Sequence, residues 1–354
     1  MKITKNSNNE KPLIYMGIDV HKISWEVRFG NESINKKRVR FEMPFVENLD
    51  NYAKRNYPGC RFKCAYEAGF SGFWAKRALE KLGYETLVVN PADIPTSGKD
   101  RVFKTDKRDS RKILAALRSG ELEAIHCPTE LEERDRAILR ARTQIAKVER
   151  QSKNRIRSTL FYYGIDIPEG MSESRWSKRF INWLNELAET QNLISLKHQL
   201  SVLNSVRKEH SSVLLSLRKL SREQRHEMIC KTLESIPGVG PLTSIKLKLE
   251  LISMDRFSST DKLLSYIGFV PSTNQSGETT RVGKMVKRGR SELRRSLIES
   301  AWVAIRHDPE LGALYESLKK KKNPNKAIVK IAVKLVRRMR YIWIHNEKYI
   351  KVKV

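Results

Sequence analysis

Between Leu13 and Met43 the chain alternates apolar and polar residues in three short runs, and this pattern constrains the fold more than any other feature. Leu13-Ile14-Tyr15-Met16-Gly17-Ile18-Asp19 is an apolar run that ends in an acid. Trp25–Gly30 alternates and stops at a glycine, and Arg38–Met43 alternates again. A period of two is strand geometry, and consecutive strands of this kind pair antiparallel. Further on, the spacing predicts a helix over 45–56, a fourth strand over Arg61–Tyr66 ending at Glu67, and a helix over Gly72–Leu82 stopped by Gly83. A fifth strand is expected over Glu85–Asn90 and a helix over Asp106–Arg118, stopped by Gly120. Three strands, then helix, strand, helix, strand, helix is the order of an RNase H-like α/β fold. That fold builds a metal site from carboxylates at strand ends and on a late helix.

Past residue 129 the pattern changes to helical spacing, rich in Leu, Glu, Arg, Lys and Gln. Ala137, Ile138, Ala141, Ile145 and Val148 form one apolar stripe. Gly164–Gly170, with Pro168, interrupts the helices, and a second helical stretch is expected from Ile181 to Ile229. Long charged helices of this sort suit an antiparallel or coiled-coil insert that acts as a spacer or dimerisation element. From Leu233 onward Ile236-Pro237-Gly238-Val239-Gly240-Pro241 separates two helical segments. Phe257–Val270 reads as helical with a turn at Gly268, residues 271–283 as a polar loop or hairpin, and Ser291–Ile305 as a helix. Lys319–Arg340 reads as a basic tail. The expected fold class is therefore α/β plus α, with an N-terminal domain over 1–128, a helical region over 129–230 and a mostly helical C-terminal domain over 231–354.

The charge is lopsided: 69 Lys and Arg oppose 40 Asp and Glu among 354 residues, a formal net charge of +29. Such an excess repels itself, and a polyanionic partner, nucleic acid first, is the natural reason to carry it. A ribosomal or membrane-surface protein is the plainer alternative. Four cysteines, with Cys60 and Cys64 lacking a second metal-ligating pair, read as reduced thiols. The polar start and the lack of a long apolar run point to a cytoplasmic protein that does not enter membranes.

Three constellations could carry chemistry. Asp19 closes the first strand, Glu67 the fourth, and Asp106 and Asp109 share a helix face. Converging carboxylates repel one another and call for a cation, and oxygen-only ligands select Mg2+ or Mn2+. Two such ions can serve an attacking and a leaving oxygen. Read one by one, these acids could equally be caps: Asp106 and Asp109 an N-cap and its partner, Asp19 a turn residue. The second constellation is the Gly238/Gly240 turn, a helix-hairpin-helix-like device whose backbone N–H groups contact phosphate without reading sequence; a purely structural turn is the alternative. The third is Gln275-Ser276-Gly277 followed by Arg281, Lys284, Lys287, Arg288, Arg290, Arg294 and Arg295. A serine hydroxyl can attack a phosphodiester when a base or metal takes its proton and cations stabilise the charge. By itself a Ser-Gly pair is usually a turn, and the cations a phosphate-binding surface.

Gly17-Ile18-Asp19-Val20-His21-Lys22, Tyr66-Glu67-Ala68-Gly69 and Lys104-Thr105-Asp106-Lys107-Arg108-Asp109 together resemble the DEDD signature of the IS110 family of insertion-sequence transposases, including its IS1111 branch. The C-terminal segments Ile236–Pro241, Arg256-Phe257, Tyr266–Pro271, Gln275–Gly277, Lys287–Arg290 and Leu293–Arg295 resemble the family's second domain, so the likeness runs along nearly the whole chain in order. One departure is Gly69, where threonine is commoner.

The resemblance implies a RuvC-like N-terminal domain, a coiled-coil insert and a C-terminal transposase domain. It implies Mg2+ held by Asp19, Glu67, Asp106 and Asp109, and Ser276 as a nucleophile that becomes covalently linked to DNA. The two halves would form a composite site between subunits of a homo-oligomer, from dimer to tetramer. Donor and target DNA, and a bridge non-coding RNA that pairs with both, are the implied partners. The competing functions are a RuvC-like nuclease or junction resolvase that hydrolyses DNA with Ser276 idle, and a binding protein without catalysis.

Overall fold

The computed structural model describes residues 11–31, 35–95, 106–172, 175–276, 279–285 and 289–350. The chain divides at Cys127/Pro128 into two compact units.

The first unit is built on a five-stranded sheet: β1 (Leu13–Val20), β2 (Trp25–Gly30), β3 (Asn35–Phe41), β4 (Arg61–Glu67) and β5 (Glu85–Val89), in the order β3-β2-β1-β4-β5. The first three strands pair antiparallel, as the alternation predicts, whereas β4 and β5 add in parallel. Parallel neighbours require crossovers, and two of the helices expected from the sequence supply them: α1 (Phe45–Asn56) and α2 (Trp74–Lys81). Successive side chains point to opposite faces of a strand. One face presents Ile14, Met16, Ile18, Trp25, Val27, Phe29, Cys64 and Tyr66 to Phe45, Leu49, Ala75 and Leu79 of α1 and α2. The other face presents Ala65 and Val89 to Ile113, Ala116 and Leu117 of α3 (Asp106–Arg118). Both helix stops lie where expected, with Gly83 and Gly120 in the left-handed region (φ 86° and 75°) that glycine enters without strain.

The second unit is helical. Thr129 opens α4 (Glu130–Tyr162) with a capping box: its hydroxyl accepts from the Glu132 N–H while the Glu132 carboxylate accepts from the Thr129 N–H. α4 pairs with α6 (Ile194–Ser221), and α5 (Lys178–Thr190) packs beside them. The long pair runs antiparallel: Thr159 meets Gln199 at one end, and Glu149 meets His210 at 2.6 Å in the middle. Near the other end, Leu139 packs with Leu217 and Leu220. The apolar stripe read from the sequence is covered only in part. Leu139, Ile156 and Leu160 are buried, while Ala137 and Val148 are exposed and Ile138, Ala141 and Ile145 only partly covered. The long α4 carries apolar residues on more than one face, and the position of α6 decides which is covered.

The remaining helices are α7 (Gln224–Glu234), α8 (Pro241–Leu251), α9 (Thr260–Ile267), α10 (Ser291–His307), α11 (Pro309–Lys321) and α12 (Pro324–His345), with a hairpin of β6 (Pro271–Ser276) and β7 (Thr279–Met285) before α10. The helix expected from Phe257 starts later, because Ser259 caps it through the Lys262 N–H and Gly268 ends it in the left-handed region. The segment read as a basic tail is corrected outright. α12 turns Ala327, Ile328, Ile331, Ala332, Leu335, Val336 and Met339 into the largest core of the unit, and its lysines and arginines occupy the other side. Leu139, Leu217 and Leu220 from the long helices share a core with Ile245 and Leu249 of α8, so these helices and the C-terminal ones belong to one unit. No helix among the described residues is long and apolar enough to cross a membrane.

Candidate active site

Strand register brings two of the four candidate acids together. Gly17 of β1 pairs with Ala65 of β4, and Ile18 with Tyr66. The next residues, Asp19 and Glu67, follow at the same carboxyl end of two parallel neighbours. Alternation places Asp19 on the face of Gly17, and Glu67 on the face of Ala65, which is the face that α3 covers. α3 crosses β1 at Gly17 itself: a Cβ there would stand 2.3 Å from the Ser110 carbonyl oxygen and 2.5 Å from the Leu114 nitrogen. Asp109, one residue before Ser110, therefore lies within a turn of the crossing, and Asp19 two residues beyond it. Glycine at 17 is what lets the helix backbone come this close.

The Asp19 and Asp109 side chains are about one-sixth exposed, at 18% and 17%. The His21 Nε2 stands 3.1 Å from Asp19 Oδ2, and the Lys112 Nζ 3.6 Å from Asp109 Oδ1. The Asp106 side chain lies outside the described residues. Among the described ones, no three His, Cys, Asp or Glu side chains are gathered closely enough to hold a metal ion. The donor chemistry nevertheless fits a hard divalent cation: it is all carboxylate, and it sits at one end and on one face of the sheet.

Two features beside these acids escaped the sequence reading. Glu26 is a further acid, paired in register with Asp19 and therefore on the same face. It is buried, and Arg38 Nε donates to its Oε2 at 2.6 Å, which neutralises it in place. Arg28, paired with Gly17, lies on the same face again. Burial, then repulsion from Arg111 and Arg38, holds its guanidinium below the usual value, against the pull of Glu26. A cationic cluster of Arg28, Arg38 and Arg111 beside a carboxylate group is suited to a phosphate diester. The signal was present in the alternation of β2, but which strand would lie beside β1 had to be known first.

In the second unit, the Pro237–Pro241 turn joins α7 to α8 as expected, and its two glycines have different surroundings. Gly238 has φ 85°, and a Cβ there would lie 2.4 Å from the Ser300 carbonyl oxygen. The Ser300 hydroxyl donates to the Gly238 oxygen at 2.8 Å, so this glycine docks the turn onto α10. Gly240 has open space around it and caps α8. The turn borders a depression of about 440 Å³ that Glu234, Val303 and His307 also line.

Of the cations grouped by sequence, Lys287 and Arg288, and the side chains of Arg281 and Lys284, lie outside the described residues, as does the side chain of Ser276. Arg290 and Arg294 are engaged with the fold. The Arg290 Nε donates to the Tyr266 hydroxyl at 3.3 Å, and the Arg294 guanidinium to the Gly268 oxygen at 3.0 Å. The Tyr266 ring also receives the Arg256 guanidinium, 4.8 Å from its centroid. Arg295 is mostly exposed, 3.4 Å from Glu292.

Comparison with known proteins finds likenesses in both halves of the chain. A DEDD-type IS110 family model described as "Transposase" matches residues 16–164, and one described as "Transposase IS116/IS110/IS902 family" matches 230–316. The Sinorhizobium fredii protein named "Putative transposase y4qE" is 30% identical over 303 residues, covering 84% of this chain and 73% of the relative. A second from that organism, y4rJ, is 29% identical over 76% of this chain and 74% of its own length. The transposase for insertion sequence element IS1533 of Leptospira borgpetersenii is 28% identical over 50% of this chain and 51% of its own. The strand-end acids, the cationic surroundings and these likenesses lead to one conclusion: the chain belongs to the IS110 family of transposases, enzymes of DNA cleavage and transposition.

Proposed function

We propose that the protein cuts and rejoins DNA through a serine-linked intermediate, with Asp19, Glu67, Asp106 and Asp109 as carboxylate ligands for Mg2+ or Mn2+ and Ser276 as the nucleophile. The observation that carries this reading is the placement of Asp19 and Glu67 at matching ends of β1 and β4, on the face where α3 brings Asp109 across Gly17. A divalent ion bound there supplies charge neutralisation at the scissile phosphate. The chain's own residues do the rest. Asp19 and Glu67, fixed by the sheet, hold their oxygens in place before substrate arrives, and Arg28, Arg38 and Arg111 orient the phosphate.

Ser276 Oγ attacks phosphorus, the P–O bond to one strand breaks, and the serine proton ends on the departing strand as a hydroxyl. Attack by a hydroxyl of the partner strand then reverses the step: the new P–O bond forms, the phosphoserine bond breaks, and Ser276 regains a proton. Each phosphodiester lost is regained, so no energy-rich co-reactant is needed. Exchange between donor and target requires more than one such serine, which favours a homo-oligomer of two to four chains. A bridge RNA would choose the sequences by pairing, leaving the protein to grip backbone and shape, a division of labour suited to a net charge of +29.

The test is a denaturing gel for a covalent protein–DNA species, formed with the element's junction DNA and its flanking non-coding RNA. The wild-type chain should form it and Ser276→Ala should not. Strand hydrolysis that survives Ser276→Ala would replace this reading with that of a hydrolytic nuclease. Cleavage unaffected by Asp109→Asn would remove the carboxylates from the chemistry.

A further inference from the structure

Beyond Asp135, α4 carries eight cations (Arg136, Arg140, Arg142, Lys147, Arg150, Lys153, Arg155, Arg157) and one acid, Glu149. That acid is already engaged, by the Lys153 Nζ at 2.5 Å and the His210 Nδ1 at 2.6 Å, on the side that meets α6. One face of the helix bears no acid for six turns. Arg140, Lys147, Arg150, Asn154, Arg157 and Phe161 follow one another at spacings of seven, three, four, three and four, the separations that stack side chains in a row. All are exposed except Arg157, which is partly covered. The positions flanking the row, Gln144 and Gln151, are exposed amides.

A solvated helix face ordinarily mixes the two signs of charge, and cations that merely complement the helix dipole are confined to its last turn. Neither accounts for this row. It is about 30 Å long at 1.5 Å per residue, close to one turn of a nucleic-acid duplex. It ends in an aromatic cluster. Phe161 is 89% exposed and Tyr162 82%, and the Tyr162 ring stands edge-on to Tyr163 at 5.2 Å. Exposed rings at the end of a cationic row are the arrangement by which proteins stack unpaired bases while gripping phosphates.

We propose that this face of α4 is a rail for a nucleic-acid duplex that ends in unpaired nucleotides. Arg140, Lys147 and Arg150 take phosphates, Asn154, whose Oδ1 accepts from Arg157, donates its amide N–H to the sugar-phosphate backbone, and Phe161 stacks on the first unpaired base. The inference rests on the proposed nucleic-acid function and adds where the strand lies on the second unit. DNA and RNA share the chemistry that the rail recognises, phosphodiester and base face, so the test uses both.

The full-length chain is titrated with a blunt duplex and with the same duplex bearing a short single-stranded overhang, each as DNA and as RNA, over a series of salt concentrations. In the double variant Lys147→Gln/Arg150→Gln, the slope of log affinity against log salt should become shallower by about two. A matched loss of charge on α6, Arg218→Gln/Lys219→Gln, should leave it unchanged. Phe161→Ala should lose about tenfold in affinity for the overhang probe and nothing for the blunt one, with no change in slope. The nucleic acid whose slope responds is the one that the rail carries. Equal effects of the α4 and α6 variants overturn the inference, as does a Phe161→Ala loss shared by both probes. A change in the sedimenting mass of Phe161→Ala also overturns it, because the aromatic end would then be a protein contact. A wild-type chain that binds no nucleic acid overturns the proposed function as well, whereas wild-type binding indifferent to Lys147 and Arg150 overturns the rail alone.

Discussion

Gly17 lies against the backbone of α3, with the Ser110 carbonyl oxygen and the Leu114 nitrogen so near that a methyl group at 17 would stand 2.3 Å and 2.5 Å from them. The contact couples β1, which carries Asp19 near its end, to the helix that carries Asp109. Gly17→Ala must therefore push α3 off the sheet. Overpacking of this kind costs about 1–3 kcal/mol. The melting temperature should fall, and DNA cleavage should fall further than the loss of folded protein accounts for, because the two acids separate. Thermal denaturation and a cleavage assay on the same samples check this. A variant that cleaves normally would show that the spacing between Asp19 and Asp109 has no role.

The two glycines of the α7–α8 turn should respond in opposite ways. Alanine at 238 meets the Ser300 oxygen at 2.4 Å and must also adopt φ 85°, so Gly238→Ala should lower stability markedly. Alanine at 240 meets nothing within 4 Å, so Gly240→Ala should fold normally. If the turn's N–H groups grip phosphate, Gly240→Ala should still weaken DNA binding, by crowding the backbone approach. Urea denaturation paired with a binding titration separates the two outcomes, and unchanged binding by Gly240→Ala would make the turn structural only.

Stability should also depend on pH through the buried pair Asp135 and His226. His226 Nε2 donates to Asp135 Oδ2 at 2.9 Å, and Arg225 reaches both carboxylate oxygens. Burial lowers the His226 pKa from its ordinary 6.5, against the pull of Asp135 and with repulsion from Lys248 and Arg225. A histidine held neutral in the fold contributes stability that is present above its unfolded pKa and is lost as pH falls through the folded value. Burial would raise the Asp135 pKa, yet hydrogen bonds from Arg225 and His226 bring it below 3.8, so its contribution is lost only at lower pH. The urea midpoint should thus hold steady above neutrality and begin to fall below pH 6.5, and Asp135→Ala should cost about 1–3 kcal/mol by leaving the buried His226 N–H without its acceptor. A midpoint that rises on mild acidification would contradict this assignment.

Chelation should separate binding from chemistry. With EDTA present, DNA cleavage should stop while salt-sensitive binding persists, and adding Mg2+ or Mn2+ should restore cleavage. Cleavage that continues under exhaustive chelation would remove the divalent ion from the reaction.

Much of this molecule follows from local pattern. Alternation marks β1 and β2, glycines stop α2 and α3, and the acids Asp19 and Glu67 stand at strand ends, because strand period and helix termination depend on a residue and its near neighbours. Tertiary structure decided the rest. It buried Leu139, Ile156 and Leu160 rather than the stripe through Ile145 and Val148, and it made a core helix, α12, of most of the basic segment Lys319–Arg340. It also set Arg290 and Arg294 against Tyr266 and Gly268, and it laid α3 on Gly17. Periodicity shows that a segment has faces. Which face is covered, and by which backbone, depends on partners that fold in from far along the chain.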